Sequence, residues 1–203
     1  LEHLKNVTAE GLLGRDSVQL DTQEISALIK GNNILVTGAA GSIGSELCRQ
    51  IARFSPAKLS LLDQDETGIF NISEELAYAF PQLNLYSVVA DITHQERIDS
   101  IFGKVQPAIV FHAAAYKHVP LMEENPHEAV KNNVFGKKIL ADACVRHGVQ
   151  KCIFISTDKA VNPTSVMGVT KRSGEMICQA YNQKGVTKLI SVRFGNVLDS
   201  RGS

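Results

Sequence analysis

The chain has 203 residues, of which 44% are hydrophobic and 21% charged, and its 21 basic residues balance 21 acidic ones. This composition is that of an ordinary globular domain, and the zero formal net charge argues against a surface built to bind nucleic acid or an anionic membrane. The cysteines are scattered, with no CxxC pair and no histidine at ligand spacing, which predicts reduced, buried thiols and no metal site (Cys48, Cys144, Cys152 and Cys178).

Apolar runs alternate with helical patterns from residue 33 onwards. Before that point a short helix is predicted to begin at a capping box formed by Asp21 and Glu24 and to stop at Gly31. Short buried runs predict strands at 33–37, 58–62, 83–89, 108–112, 151–156 and 188–193. Helical spacing predicts helices at 42–54, 66–80, 94–105, 126–147 and 165–184, of which the fourth is capped by Asn125 and followed by Gly148.

This alternation predicts an α/β fold in which helices cover both faces of a parallel sheet, the doubly wound Rossmann arrangement. Right-handed crossovers favour the strand order 3-2-1-4-5-6. Residues 1–31 lie outside the pattern, so we expect an N-terminal extension or linker there and a single domain over residues 32–203.

The segment that joins the first strand to its helix is rich in glycine. It reads "LVTGAAGSIGSEL", with Gly38, Gly41 and Gly44 at three-residue intervals and Ser42 and Ile43 beside them. The first glycine permits a tight turn, the second lets the backbone approach a pyrophosphate, and the third lets the helix pack on the sheet. Free N–H groups at the helix N-terminus would then face the phosphates. The alternative is a tight turn that binds no ligand.

Acidic residues end the next two strands. Asp63 closes "LSLLD", where a carboxylate can accept hydrogen bonds from both ribose hydroxyls of NAD and repel the 2′-phosphate of NADP. NAD is therefore favoured over NADP. Asp91 closes "VVAD" and can reach the adenine amino group, with Ile92 against the ring. For both aspartates the alternative is a cap on the helix that follows.

Together these features resemble the extended short-chain dehydrogenase/reductases, which also share "HAAA" at 112–115 and a lysine on the helix at 165–184. Longer stretches are similar to bacterial nucleoside-diphosphate-sugar 4,6-dehydratases, and among these to the long, membrane-anchored UDP-N-acetylglucosamine 4,6-dehydratases. The stretches are "TGAAGSIGSELCRQI", "FHAAAYKHVPLMEENPHEAVKNNVFG", "ISTDKAVNPTSVMGVTKR" and "RFGNVLDSRGS". The resemblance implies that residues 32–203 bind NAD, with Ala113 and Ala114 at the cofactor, and carry the catalytic residues.

The resemblance also implies a reaction, the NAD-dependent 4,6-dehydration of a UDP-sugar, expected to be UDP-N-acetylglucosamine, in capsule, O-antigen or glycan biosynthesis. A hydride leaves C4, water is lost across C5 and C6, and the hydride returns to C6. By this analogy Asp158 is the acid for the 6-hydroxyl, Lys159 the base at C5, and Thr157 a hydrogen-bond partner of the 4-hydroxyl. Both ionisable roles need a shifted pKa, which burial favours and a close ion pair opposes.

Met167 stands where most relatives carry a tyrosine that takes the 4-hydroxyl proton. A thioether has no proton to exchange, so Met167 is expected to pack, while Lys171, on the same helix face, keeps the nicotinamide-ribose contact. The proton then has three candidate acceptors: Asp158, which we rank first, Lys171 through water, and Lys159.

Four further substrate-binding residues follow from the resemblance. Lys117 and His118 come after the fourth strand, Asn133 lies inside the long helix, and Asn196 in "RFGN" matches a diphosphate contact. Their alternatives are a solvated loop for the first two, a structural amide for Asn133 and a turn residue for Asn196.

The chain begins at Leu1 rather than Met, so we expect it to be a piece of a longer protein. That protein is expected to carry a membrane segment upstream, to lie on the cytoplasmic side of the bacterial inner membrane and to complete a substrate subdomain after Ser203. A homodimer or higher homo-oligomer is expected through the helices at 126–147 and 165–184. Two other functions stay open: a UDP-sugar 4-epimerase, which needs no C5 base or C6 acid, and a non-catalytic dinucleotide sensor.

Overall fold

The computed structural model of the protein describes residues 21–183, 185–195 and 197. The strands are β1 (Asn33–Thr37), β2 (Lys58–Asp63), β3 (Leu85–Val89), β4 (Ile109–His112), β5 (Lys151–Thr157) and β6 (Lys188–Phe194). The helices are α1 (Thr22–Ile29), α2 (Ser42–Ala52), α3 (Glu66–Ala79), α4 (Gln95–Val105), α5 (Val119–Glu124), α6 (Pro126–Val130), α7 (Lys137–Arg146) and α8 (Val166–Asn182).

The strands form one parallel sheet in the order β3-β2-β1-β4-β5-β6, which confirms the predicted topology. The predicted strand bounds differ from the observed ones by two residues at most. After β3 the chain crosses back to place β4 beside β1, so the strand order reverses between these two strands. In such sheets ligands bind at the carboxyl ends of the strands around that reversal.

Two apolar layers cover the sheet, one on each face. On one face, helices α1, α2 and α3 pack through residues such as Ile29, Ile51 and Leu76. On the other face, helices α4, α7 and α8 pack through residues such as Phe102 and Leu140. Because both faces are covered, the strands are near-continuous apolar runs, and this is why they could be recognised in the sequence.

The long helix predicted at 126–147 is not regular. It consists of α6, a π-helical segment at Lys131–Gly136 and α7, and it is preceded by α5, which the sequence pattern did not predict. Asn125 is the N-cap of α6 and Pro126 stands in its first turn, as predicted. The Asn125 side chain makes no capping hydrogen bond, because its amide donates to the carbonyl of Leu121 in α5 (2.9 Å). Gly148 follows the helix at φ +67°, as expected for a helix stop.

At the start of α1 the structure shows one of the two predicted capping-box interactions, the one made by the Asp21 side chain. The Asp21 carboxylate accepts hydrogen bonds from the backbone N–H groups of Gln23 (3.0 Å) and Glu24 (3.1 Å). Within the part of the chain that the structure describes, no helix has both the length and the apolar character needed to cross a bilayer.

Candidate active site

A backbone cradle lies at the carboxyl end of β1, where the glycine-rich segment turns into α2. Gly38 has φ +74°, and a Cβ placed on it would come within 2.3 Å of the backbone nitrogen of Ala114. A Cβ on Gly44 would come within 1.9 Å of the Gly38 carbonyl oxygen. Gly41 is the exposed N-cap of α2. Gly38 and Gly44 require glycine because the loop, the β4 loop and the helix start approach one another there through backbone alone.

A cavity of about 410 Å³ opens in front of this cradle. The predicted cofactor-binding residues on its wall are Gly38, Gly41, Asp63, Asp91, Ile92, Ala113 and Ala114. Ser42, Ile43 and Gly44 lie behind them in the first turn of α2. The cavity therefore brings together residues from the ends of four strands, as a dinucleotide site at the point of strand reversal requires.

The cavity wall is acidic. Asp63, Asp65 and Asp91 all lie on it, and among the described wall residues none is a lysine or an arginine. Asp63 accepts hydrogen bonds from the backbone N–H groups of Ala40 (3.0 Å) and Asp65 (3.1 Å), so it connects the glycine-rich loop to the end of β2. A negative wall of this kind disfavours an additional phosphate on the ribose.

Neither Asp63 nor Asp91 is the N-cap of the helix that follows it, so the capping alternative is excluded for both. The N-cap of α3 is Asp65, whose carboxylate accepts from the N–H of Gly68 (3.0 Å), and the N-cap of α4 is His94. Asp91 instead accepts from the N–H of Thr93 (2.8 Å) in the turn before α4. Burial raises the pKa of Asp91, but the hydrogen bonds from Thr93 outweigh it and leave that pKa below its ordinary value.

The predicted acid–base pair lies at the carboxyl end of β5. Lys159 Nζ is 3.3 Å from Asp158 Oδ1, and Thr157 Oγ1 donates to the same oxygen at 2.8 Å. Both side chains are exposed, Asp158 at 59% and Lys159 at 43%. The Thr157 hydroxyl and the Lys159 ammonium hold the pKa of Asp158 below its ordinary value, which is opposite to the shift that an acid for the 6-hydroxyl needs.

Helix α8 carries Met167 and Lys171 behind this pair. Met167 is 3% exposed and packs against Met122 of α5 and Ala129 of α6, the packing role expected of it. Lys171 is buried, and its Nζ donates to the carbonyl of Ile155 in β5 (3.0 Å). Burial in the first place, and then the charge of Lys137, lower the pKa of Lys171 to about 7.

The other predicted residues fall in different surroundings. Asn133, in the π-helical segment, holds the loop after β4: its oxygen accepts from the N–H of Tyr116 (2.9 Å), and its nitrogen donates to the Tyr116 carbonyl (3.0 Å) and to Thr170 Oγ1 (3.0 Å). These contacts favour the structural-amide alternative. Lys117 and His118 are exposed in the segment that leads into α5. Asn196 lies outside the described residues.

Several wall residues were not predicted. Gln64 and Tyr116 project from the ends of β2 and β4 and are joined at 3.5 Å, and Asn132 of the π-helical segment is also on the wall. A π-helical turn often marks a functional site, but no periodicity in "KNNVFG" signals one. The two consecutive asparagines inside a predicted helix were the available signal, because an amide that such a helix buries needs a polar partner.

A buried carboxylate, Glu175 of α8, binds residues of the two strands next to the acid–base pair. Glu175 of α8 accepts from Arg193 of β6 (2.6 and 2.8 Å), Ser156 of β5 (2.7 Å) and Arg172 (3.2 Å). The Arg193 guanidinium, more than any other group, lowers the pKa of Glu175 to about 2, against the effect of burial. This network ties α8 and β6 to the residue that precedes Thr157.

Comparison with known proteins places these features in a family. Residues 34–203 match the model of a family described as "Polysaccharide biosynthesis protein". A capsular polysaccharide biosynthesis protein, CapD, of Staphylococcus aureus is 49% identical over 100% of this chain and 34% of its own length. A UDP-N-acetylglucosamine 4,6-dehydratase (inverting) of Campylobacter jejuni is 36% identical over 87% of this chain and 52% of its own length. An uncharacterized membrane protein of Methanocaldococcus jannaschii is 44% identical over 89% of this chain and 54% of its own length.

Solved structures agree with the fold. The X-ray structure of Pen from Bacillus thuringiensis has a TM-score of 0.79 at 34% identity and covers 86% of this chain and 53% of that one. UDP-glucose 4-epimerase from Brucella ovis in complex with NAD has a TM-score of 0.70 at 26% identity, with 81% and 52% covered. The chain thus spans about a third to a half of the length of these proteins.

Proposed function

This chain belongs to the polysaccharide biosynthesis protein family, and we propose that it is the NAD-binding, catalytic part of a UDP-sugar 4,6-dehydratase, with UDP-N-acetylglucosamine as substrate. One observation carries the proposal: the carboxyl edge of the sheet holds both a backbone cradle of the size and shape for a dinucleotide and an adjacent acid and amine, Asp158 and Lys159. The Campylobacter relative that is named for this activity matches over 87% of this chain.

The cradle fits a dinucleotide because its closest approaches are backbone to backbone. Gly38, Gly41 and the N-terminus of α2 would hold the pyrophosphate, Asp63 the adenosine ribose, and Asp91 with Ile92 the adenine. The acidic wall supports NAD rather than NADP. When bound, the nicotinamide supplies the oxidation at C4 and the later reduction at C6 of the sugar.

The protein's own residues would manage the protons. Thr157 would orient the 4-hydroxyl, Lys159 would remove the C5 proton, and Asp158 would protonate the leaving 6-hydroxyl. In the described arrangement the last two neutralise each other in water, so the roles require a bound sugar that separates them and excludes solvent. Lys117 and His118 would contact the same sugar, and Asn196 the diphosphate.

The alternative activity is 4-epimerisation, the reaction for which the similar Brucella protein is named. Oxidation at C4 is common to both reactions, but only the dehydratase uses a base at C5 and an acid at C6. The adjacent Asp158 and Lys159 favour dehydration, and the buried Met167 removes the phenol that an epimerase usually keeps. A dinucleotide sensor would need neither feature.

Incubation with NAD and UDP-N-acetylglucosamine, followed by mass spectrometry of the nucleotide sugar, separates these functions. The proposal expects a product lighter by one water, and it expects Asp158→Asn and Lys159→Ala to abolish that loss. A product of unchanged mass with inverted C4 would establish the epimerase instead. NAD binding without any product from either the chain or its full-length parent would favour the sensor.

The whole protein's assembly is part of the proposal. Large apolar side chains are exposed on α6, the π-helical segment and α8, namely Val130, Phe135, Val169 and Met176. Their burial would support a homodimer through these helices. The name of the Methanocaldococcus relative, an uncharacterized membrane protein, supports a membrane segment elsewhere in the whole protein. A site at the cytoplasmic face of the bacterial inner membrane stays part of the proposal.

A further inference from the structure

Two side chains on the cavity wall meet across the glycine-rich loop. Gln64 follows β2, Tyr116 lies in the segment after β4, and the Gln64 amide Nε2 donates to the Tyr116 hydroxyl oxygen at 3.5 Å. Strands β2 and β4 are not neighbours, because β1 lies between them in the sheet. The two side chains therefore bridge two strand spacings, about 10 Å, across the carboxyl end of β1, where the loop begins at Gly38.

The bridge lies on the solvent side of the cavity. The hydrogen bond and Gln64 itself are exposed, whereas Gly38, Leu62 and Ile92 on the same wall are buried. A long hydrogen bond between exposed groups adds little to the stability of the fold, because water competes for both of its ends. The bridge is therefore easily broken and remade, and a movable closure needs this property.

The backbone on the Tyr116 side of the bridge is held in place. The buried Asn133 side chain accepts from the Tyr116 N–H (2.9 Å) and donates to the Tyr116 carbonyl (3.0 Å). The same amide donates to Thr170 Oγ1 of α8 (3.0 Å), so the anchor extends into the helix behind the site. Without breaking these bonds, Tyr116 can swing only its side chain away from the cavity.

The backbone on the Gln64 side is held as well. Gln64 lies between Asp63, which accepts from the N–H of Ala40 (3.0 Å), and Asp65, which caps α3. Opening of the bridge thus requires rotation of two side chains and no movement of the backbone that carries them. Exposed side chains change rotamer within nanoseconds, so the bridge reaches equilibrium before a ligand enters or leaves.

We propose that Gln64 and Tyr116 form a clasp over the dinucleotide cavity, which opens to admit the dinucleotide and closes again behind it. The clasp rests on the proposed function, in which one dinucleotide takes a hydride from C4 and returns it to C6. The reduced dinucleotide must not leave between these steps, and the clasp delays its departure. Because the bridge forms with or without a ligand, it slows entry and exit alike and leaves the affinity nearly unchanged.

Stopped-flow fluorescence of NADH binding tests the clasp without turnover. Association is followed against NADH concentration, and dissociation is followed by displacement of bound NADH with excess NAD. Tyr116→Phe removes the hydroxyl and keeps the ring, and Gln64→Met removes the amide and keeps the length of the side chain. Each should raise both rate constants by about two- to tenfold, the effect of one net hydrogen bond on an opening equilibrium, and change Kd by less than about twofold. The double variant should match the single ones, because all three lack the same bond.

Tyr78→Phe is the matched control, since Tyr78 of α3 is 91% exposed and lies outside the described cavity wall. It should leave both rate constants unchanged. Faster dissociation with unchanged association in Tyr116→Phe would make the side chain a direct contact of the dinucleotide and overturn the clasp, as would unchanged rates in the folded variants. Clasp kinetics without any dehydration would leave the clasp standing and refute the dehydratase, whereas a chain that does not bind NADH would overturn both.

Discussion

The substitution Gly38→Ala measures how much of the candidate cofactor site depends on backbone contact. Gly38 has φ +74°, a conformation that costs an alanine about 1 to 2 kcal/mol. The added Cβ would also lie 2.3 Å from the Ala114 nitrogen, and displacing that backbone costs about 1 to 3 kcal/mol more. We therefore expect the free energy of unfolding to fall by about 2 to 5 kcal/mol.

Gly148 provides the matched control. It has φ +67°, but nothing lies within 4 Å of the position that a Cβ would take. Gly148→Ala should therefore lose only the conformational part, about 1 to 2 kcal/mol. Urea unfolding followed by circular dichroism gives both values, and quenching of NADH fluorescence shows whether Gly38→Ala also loses binding. Equal losses of stability in the two variants would refute the close approach between the glycine-rich loop and the β4 loop.

Three further substitutions follow from the same geometry. Asp63→Asn should weaken NADH binding and reduce the preference over NADPH several-fold, as fluorescence titration with both would show; an unchanged ratio would remove Asp63 from the ribose site. Met167→Leu keeps the volume of a buried side chain, so it should cost less than about 1.5 kcal/mol and keep dehydration, whereas loss of turnover in a folded variant would give the thioether a chemical role. Glu175→Gln should lower stability at pH 7 by about 2 to 3 kcal/mol. Because the folded pKa of Glu175 is about 2, this stabilisation is present above the unfolded pKa and disappears as the pH falls through 4 towards 2, where urea midpoints of the two proteins should converge.

The sheet could be predicted from the sequence because its strands are buried on both faces. Runs such as "ILVT" and "LSLLD" need no partner to be recognised, and right-handed crossovers leave few possible orders. The long helix could not be predicted in detail. A π-helical turn changes the register by one residue without any change in composition, and Asn132 and Asn133 are both buried within this turn.

The candidate site divides in the same way. That Gly38, Asp63 and Asp91 lie on one cavity wall could be predicted from position alone, because strand ends meet at one edge of a parallel sheet. The place of Asn132 on that wall could not, because an asparagine among polar residues on a helix is ordinarily solvated and the π-helical segment buries it. The sequence indicated that Asp158 and Lys159 are close enough to form an ion pair. It did not indicate that the pair is exposed, because exposure depends on which residues cover the carboxyl end of β5.

That exposure has a kinetic consequence for the proposed reaction. The cradle proposed for the dinucleotide is built largely from backbone, whereas Asp158 and Lys159 lie open to water and form an ion pair. Bound sugar would remove that water and raise the pKa of Asp158 towards the range an acid needs. Since kcat/KM reports the free enzyme and kcat the bound one, the limb due to Asp158 should appear at higher pH in kcat than in kcat/KM. Coincident profiles would mean that the substrate leaves the pair as it is, and Asp158 could not then protonate the 6-hydroxyl.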